Sequence, residues 1–332
     1  MVREEEAKGS KRRGEQGINL QEVKAKFVQP RVKPLLKEVN ALIFDVDGVL
    51  LDVHQSFWNV ILLTTKKYLE LLSIKSPFSP RKYHIKLLKM AGGFNNDWDV
   101  TSALILISLS YAFNHPLNLR EIGEEIYKRG GGLNQLEALL QEKIPNDFPT
   151  IRSLLDKSLV ERLFKEIYAG KDTPIVYGFQ PKFISPEQEG LYKNEIPLLK
   201  PEDIPPFIEK IALFTGRTAG ETLLALKMTR FSSLIPQEYI LTADDGLNKP
   251  DEKKLKELAN KLGAKVAIYV GDAIDDLRSV PKDDSSILSC IVQKRNTQIF
   301  KKEGADIIVP DTISLIQLLK EERSEANEDG GG

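Results

Sequence analysis

The sequence predicts an α/β protein: a parallel sheet with helices on both faces, carrying a large all-helical insertion after the first core strand. Three observations carry that prediction. From about residue 206 onward, short apolar runs alternate with helical stretches, as in a parallel sheet covered by crossover helices. Several of those runs end in a polar residue, and ligands of such sheets collect at the carboxyl ends of the strands. One further apolar run, Ala41 to Phe44, stands alone upstream, and residues 54 to about 170 after it read almost entirely helical.

Taken in order, residues 1 to about 17 are charged and nearly free of large apolar groups, which reads as a disordered tail. Lys8, Lys11, Arg12 and Arg13 lie in it and read as solvated charges rather than a basic patch. The partly disordered N-terminal segment is set at 1–38, the core at 39–53 and 206–322, the helical insertion with its connection at 54–205, and a second tail at 323–332. In the insertion, Phe57, Ile61, Tyr68 and Leu72 share one helical face. Segments 102–113, 119–129, 133–142 and 151–168 continue the helical pattern between the turn clusters GGFNND, NHPLN, RGGGLN and IPNDFP. Residues 171–205 are rich in Pro, Gly and charge and read as a connection. Strands are then expected at 211–214, 239–241, 266–270, 287–292 and 306–309, with a last helix at 312–319.

Composition bounds the function. The 332 residues hold 47 Lys and Arg against 48 Asp and Glu, a balance that calls for neither nucleic acid nor a membrane surface. The longest apolar run falls well short of the ~20 residues that cross a bilayer, and MVREEEAKGSKRR carries no apolar segment of a secretory signal. The one cysteine, Cys290, has no internal partner and suits a reducing compartment, so a cytoplasmic protein is expected. His54, His84 and His115 show no zinc spacing.

The chemistry-bearing segments are Asp45-Val-Asp47-Gly48, Thr215-Gly216-Arg217, Lys249-Pro250-Asp251 and Gly271-Asp272 with Asp275 and Asp276. Like charges as close as Asp45 and Asp47 repel unless something neutralises them. Singly, each segment also suits a turn or a helix cap. Jointly, the order of acid pair, small hydroxyl, lysine and acid cluster, each at a strand exit, exceeds what capping requires.

That order resembles the four motifs of the haloacid dehalogenase superfamily of phosphohydrolases, and within it the phosphoglycolate phosphatase-like branch. The resemblance covers residues 41–53 and about 206–320. It implies a Rossmann-like core, a helical cap of the C1 type, and a Mg²⁺-dependent phosphatase acting on a small phosphorylated metabolite. By the same resemblance Asp45 is the nucleophile and Asp47 the general acid and base. Asp45, Asp47 through its backbone carbonyl, and Asp272 would hold Mg²⁺, with Asp276 orienting the metal shell. Thr215, the amides from Gly216 onward and Lys249 would bind phosphate; Arg217 is within reach of substrate or else an exposed surface arginine. Asp275 stands open between site and solvent. A phosphomutase uses the same core residues, and a non-catalytic binding protein on the same fold is a third reading; a homodimer is left open. In the insertion, Gly92 to Trp98, with the amides of Asn95 and Asn96, reads equally as a substrate-facing loop or an interhelical turn. Gly130-Gly131-Gly132 reads as flexible punctuation.

Overall fold

A computed structural model describes residues 27–94, 96–294 and 297–329. In chain order the strands are β1 (Phe27–Val28), β2 (Val39–Phe44), β3 (Leu51–Asp52), β4 (Ile196–Pro197), β5 (Lys210–Phe214), β6 (Ile240–Leu241), β7 (Val266–Gly271), β8 (Ile287–Val292) and β9 (Ile307–Val309). Seven of them form one sheet in the order β1-β9-β8-β7-β2-β5-β6. It is parallel except for β1, which runs antiparallel to β9. The α/β class expected from the sequence is the one observed.

Burial on both faces explains the unbroken apolar runs of the central strands. Successive side chains of a strand point to opposite faces. Leu42 and Phe44 of β2 therefore join a core with Leu213, Ile268 and Val270, covered by helices α10 (Ala219–Thr229) and α14 (Thr312–Asp329). Ala41 and Ile43 face the other way, onto Ala212, Phe214, Tyr269 and the Leu255, Leu258 and Leu262 stripe of α11 (Glu252–Leu262). Two shorter core helices, α12 (Ile274–Ser279) and α13 (Thr297–Glu303), follow β7 and β8.

Residues 27–38, placed by the sequence in the N-terminal segment, supply the edge strand β1 and helix α1 (Lys33–Leu36), which packs near α14. At the other end α14 continues to Asp329, past the expected boundary at 322. The tail expected over residues 1 to about 17, with its basic residues, lies outside the described residues.

The insertion leaves after β3 and returns at β4, which pair antiparallel with Asp52 opposite Ile196. Between them lie α2 (Phe57–Leu71), α3 (Lys82–Met90), α4 (Asp97–Ala112), α5 (Leu119–Lys128), α6 (Leu133–Lys143), α7 (Phe148–Ser153), α8 (Lys157–Ala169) and α9 (Thr173–Tyr177). Helix α4 is buried on every side from Val100 to Ser110, so it carries no amphipathic signature and acts as the centre of the bundle. Ser108 and Ser110 return their hydroxyls to Leu104 and Leu106 carbonyls, which makes their burial tolerable. The helical pattern over 151–168 is two helices, because the Asp156 side chain accepts from the Ser158 and Leu159 amides and starts α8 afresh. Among the described residues no helix is long and apolar enough to cross a membrane.

Candidate active site

Strand β2 lies between β7 and β5, with Phe44 opposite both Val270 and Leu213. The chain proceeds from β2 outward through β5 and β6, then returns to β7 on the opposite side of β2. The order reverses there, and a crevice opens at the carboxyl ends of the strands. Asp45, Thr215 and Asp272 are the residues that immediately follow these three neighbouring strands.

Lys249, in the loop before α11, reaches back across the sheet end. Its Nζ lies 2.9 Å from Asp45 Oδ1 and 2.8 Å from Asp276 Oδ1. Asp276 is held by more than the lysine: Tyr269 donates its hydroxyl at 2.7 Å, and the Asp272 and Ala273 amides each donate at 3.0 Å. Burial opposes ionisation, but Lys249 and these donors keep the Asp276 carboxyl below the usual range. Asp272 has the reverse balance. Burial, then the carboxylates of Asp276, Asp45 and Asp47, push it well above the ordinary carboxylate range. Burial likewise raises Asp45, with Lys249 opposing, to about 6.

Gly48 makes this crowding feasible. Its φ is +72°, and a Cβ there would sit 2.2 Å from Asp272 Oδ2, so the turn after Asp47 leaves room for that carboxylate alone. One oxygen each from Asp45, Asp272 and Asp276 lie within 4.8 Å of one another. Three hard oxygen donors and a local excess of negative charge over Lys249 suit a small divalent cation such as Mg²⁺. The residues present fit that group.

Thr215 is 1% exposed, and its hydroxyl accepts from the Arg217 amide at 3.3 Å. Nothing lies within 4 Å of the place a Cβ would take on Gly216, so the backbone there faces open space. Thr218 caps α10 with its side chain, reciprocated by Glu221.

Arg217 is not a surface arginine; it is 3% exposed. Its Nε donates to Asp47 Oδ1 at 2.8 Å, Nη1 to the Tyr168 hydroxyl at 3.0 Å and Nη2 to Glu195 Oε2 at 3.0 Å. The Nη2 atom also stands 2.6 Å from Asp47 Oδ1. Glu195 in turn accepts on Oε1 from Ser56 Oγ at 3.0 Å and from Tyr168 at 3.1 Å. The guanidinium lies over the Phe57 ring, 5.1 Å from its centroid. Its partners thus come from the turn after β2, from α2 and α8, and from the chain returning to β4, and sequence reasoning missed Glu195 and Tyr168 altogether.

Asp275 is outside the close acidic group. Of the insertion loop, Asn96 caps α4 by accepting from the Asp99 amide at 2.7 Å, which places it in the interhelical turn; Asn95 lies outside the described residues. Gly130 to Gly132 do more than punctuate. The Gly132 amide donates to the Gly92 carbonyl at 2.8 Å, joining the two glycine turns back to back. Lys89, on α3 just before this loop, pairs with Asp97 at 2.8 Å. Burial opposes its charge, yet Asp97, and with it Asp47 and Asp272, hold Lys89 above the usual lysine range.

No protein-family model matches the chain. Among curated proteins, 111 residues are 33% identical to an imidazoleglycerol-phosphate dehydratase of Phytophthora nicotianae. That match takes in 32% of this chain, which spans only 23% of the relative's length. Among solved structures, a phosphatase from Thermococcus thioreducens is similar at a TM-score of 0.58 and 24% identity, over 84% of this chain and 98% of that one. A second, a structural-genomics target, reaches a TM-score of 0.58 at 16% identity, over 85% and 98% of the two chains. These likenesses show a shared fold. The doubly covered parallel sheet with its helical insertion is the architecture expected from the resemblance of the four sequence segments.

Proposed function

We propose that the protein is a Mg²⁺-dependent phosphatase of the haloacid dehalogenase superfamily, hydrolysing a small phosphorylated metabolite through an aspartyl phosphate on Asp45. The observation that carries this reading is the convergence of Asp45, Thr215, Lys249, Asp272 and Asp276 at the switch point of one sheet. The similarity in fold to a phosphatase from Thermococcus thioreducens accords with it.

Hydrolysis of a phosphate monoester demands a positioned nucleophile and neutralisation of charge. A carboxylate nucleophile divides the reaction into two steps. Asp45 Oδ attacks phosphorus while Asp47 gives a proton to the departing alcohol. Water then cleaves the acyl phosphate, its proton passing to Asp47. Thr215 and the backbone amides beside Gly216 hold phosphate oxygens. Lys249, fixed by Asp276, which Tyr269 holds in turn, keeps its positive charge against the nucleophile and the phosphoryl group. Asp45, Asp272 and the carbonyl of Asp47 would hold Mg²⁺, with Asp276 orienting that set; the bound cation supplies the charge that lets a carboxylate meet an anionic phosphate. The helices from α2 to α9 act as the cap that closes over the site and selects substrate.

Turnover of p-nitrophenyl phosphate, with free phosphate measured in Mg²⁺ and again in excess chelator, tests the proposal. Release of phosphate that requires Mg²⁺ is expected. A preparation that is folded yet inert toward this ester and a panel of phosphorylated metabolites removes the enzyme from consideration.

A further inference from the structure

Within this phosphatase reading, we infer that Arg217, anchored by Glu195 and Tyr168, is the positioning residue that aims the Asp47 carboxylate at the water which cleaves the aspartyl phosphate. Nε of the guanidinium donates to Asp47 Oδ1, and Nη2, which donates to Glu195, makes an ion-pair contact with that same Asp47 oxygen. A planar guanidinium that is itself held on its other side pins that oxygen in place, which a freely rotating ammonium does less well. This pairing leaves Oδ2 to serve the reacting side. Asp47 needs this help because its side chain is 38% exposed, at the mouth of the site rather than packed within it. Arg217 itself is immobilised on its far side by Glu195 and Tyr168, both buried, and by the ring of Phe57.

The anchor has a meaning beyond rigidity. Ser56 follows β3 and Glu195 precedes β4, so both flank the places where the chain crosses between core and insertion. Each is bonded to the other, and through Glu195 to Arg217. The orientation of Asp47 is therefore referred to the crossing itself and to α8 of the insertion. In the step concerned, the water oxygen forms a bond to phosphorus as the bond from phosphorus to the Asp45 oxygen breaks. The electron pair stays on the Asp45 carboxylate, the water proton goes to Asp47 Oδ2, and inorganic phosphate departs.

The experiment is rapid-mixing kinetics of the full chain with p-nitrophenyl phosphate and Mg²⁺. p-Nitrophenolate is a stable anion and leaves without a proton, so the first step is spared and the second is exposed. Arg217→Lys keeps the charge but loses the guanidinium's simultaneous hold on Asp47, Tyr168 and Glu195. Arg217→Gln with Glu195→Gln removes both buried charges together and guards against a fold that fails because one is left unpaired. For each, the expected result is a burst of about one p-nitrophenolate per active site followed by a steady rate at least about 10-fold below wild type, with the thermal midpoint retained. Tyr168→Phe, which keeps the ion pairs, is expected to show a smaller burst and a smaller loss. Variants whose progress curves match wild type overturn the inference, and so does a slowed steady rate with no burst, the sign of a merely structural role. A wild-type protein that turns over no ester defeats the phosphatase reading itself, and this inference with it; that outcome is read from the wild-type arm alone.

Discussion

The ammonium of Lys249 lies 2.9 Å from Oδ1 of Asp45, and that contact joins a loop before α11 to the tip of the central strand. The same nitrogen holds Asp276, so a single cation offsets two buried carboxylates. Removing it leaves both uncompensated, a loss that costs about 3–5 kcal/mol for a buried pair. Lys249→Met is therefore expected to lower stability by that order in denaturant titration, as well as to abolish turnover. A change under about 1 kcal/mol contradicts the arrangement.

Asp45→Asn tests the nucleophile and the electrostatics together. Turnover is expected to fall at least about a thousand-fold, as for removal of other covalent nucleophiles. The folded-state Asp45 carboxyl is raised from 3.8 to about 6, chiefly by burial. The folded protein then binds more protons than the unfolded chain between those values, so stability is lost as pH rises through that window. In metal-free protein, Asp45→Asn should gain on wild type in thermal midpoint from about pH 4 to pH 6. A constant difference across that range refutes the account.

Mg²⁺ bound among Asp45, Asp272 and Asp276 should offset the charge of that acidic group. Binding at a hundredfold excess over Kd contributes about 2.7 kcal/mol. A rise in thermal midpoint with Mg²⁺ that disappears in Asp272→Asn is expected from calorimetry or dye-monitored melting. Equal stabilisation of both proteins would place the ion elsewhere.

The glycine contact beneath the insertion loop gives a prediction independent of catalysis. A Cβ on Gly131 would meet the Gly92 carbonyl oxygen at 2.4 Å, whereas one on Gly130 would meet nothing within 4 Å. Both residues have positive φ, so either alanine carries some backbone strain. Gly131→Ala should be the more destabilising of the two, by about 1–3 kcal/mol from the added overlap. Equal unfolding midpoints would mean that the two turns are not in contact.

The strand exits are legible in the sequence because each follows an apolar run that a doubly buried sheet requires, and a polar residue at that boundary stands out. Asp45, Thr215 and Asp272 announce themselves in this way. Glu195 does not. It lies in a stretch of prolines and charges, and its burial arises only when Arg217, Ser56 and Tyr168 converge from three other parts of the chain. For the same reason Arg217 looks like a surface residue until its partners are known. The break at Asp156 was hidden by apolar spacing that continues across it, and β1 is too short to show a period. Gly131 resembles any loop glycine, since close approach of two backbones leaves no mark in either segment alone.

The antiparallel ladder of β3 and β4 brings the outgoing and returning chain side by side at Asp52 and Ile196. That ladder is two residues long, so the insertion leans on further ties to the core, Tyr177 on Glu221 and Tyr168 on Arg217, and its seat is shared between hinge and helix rather than borne by the hinge alone.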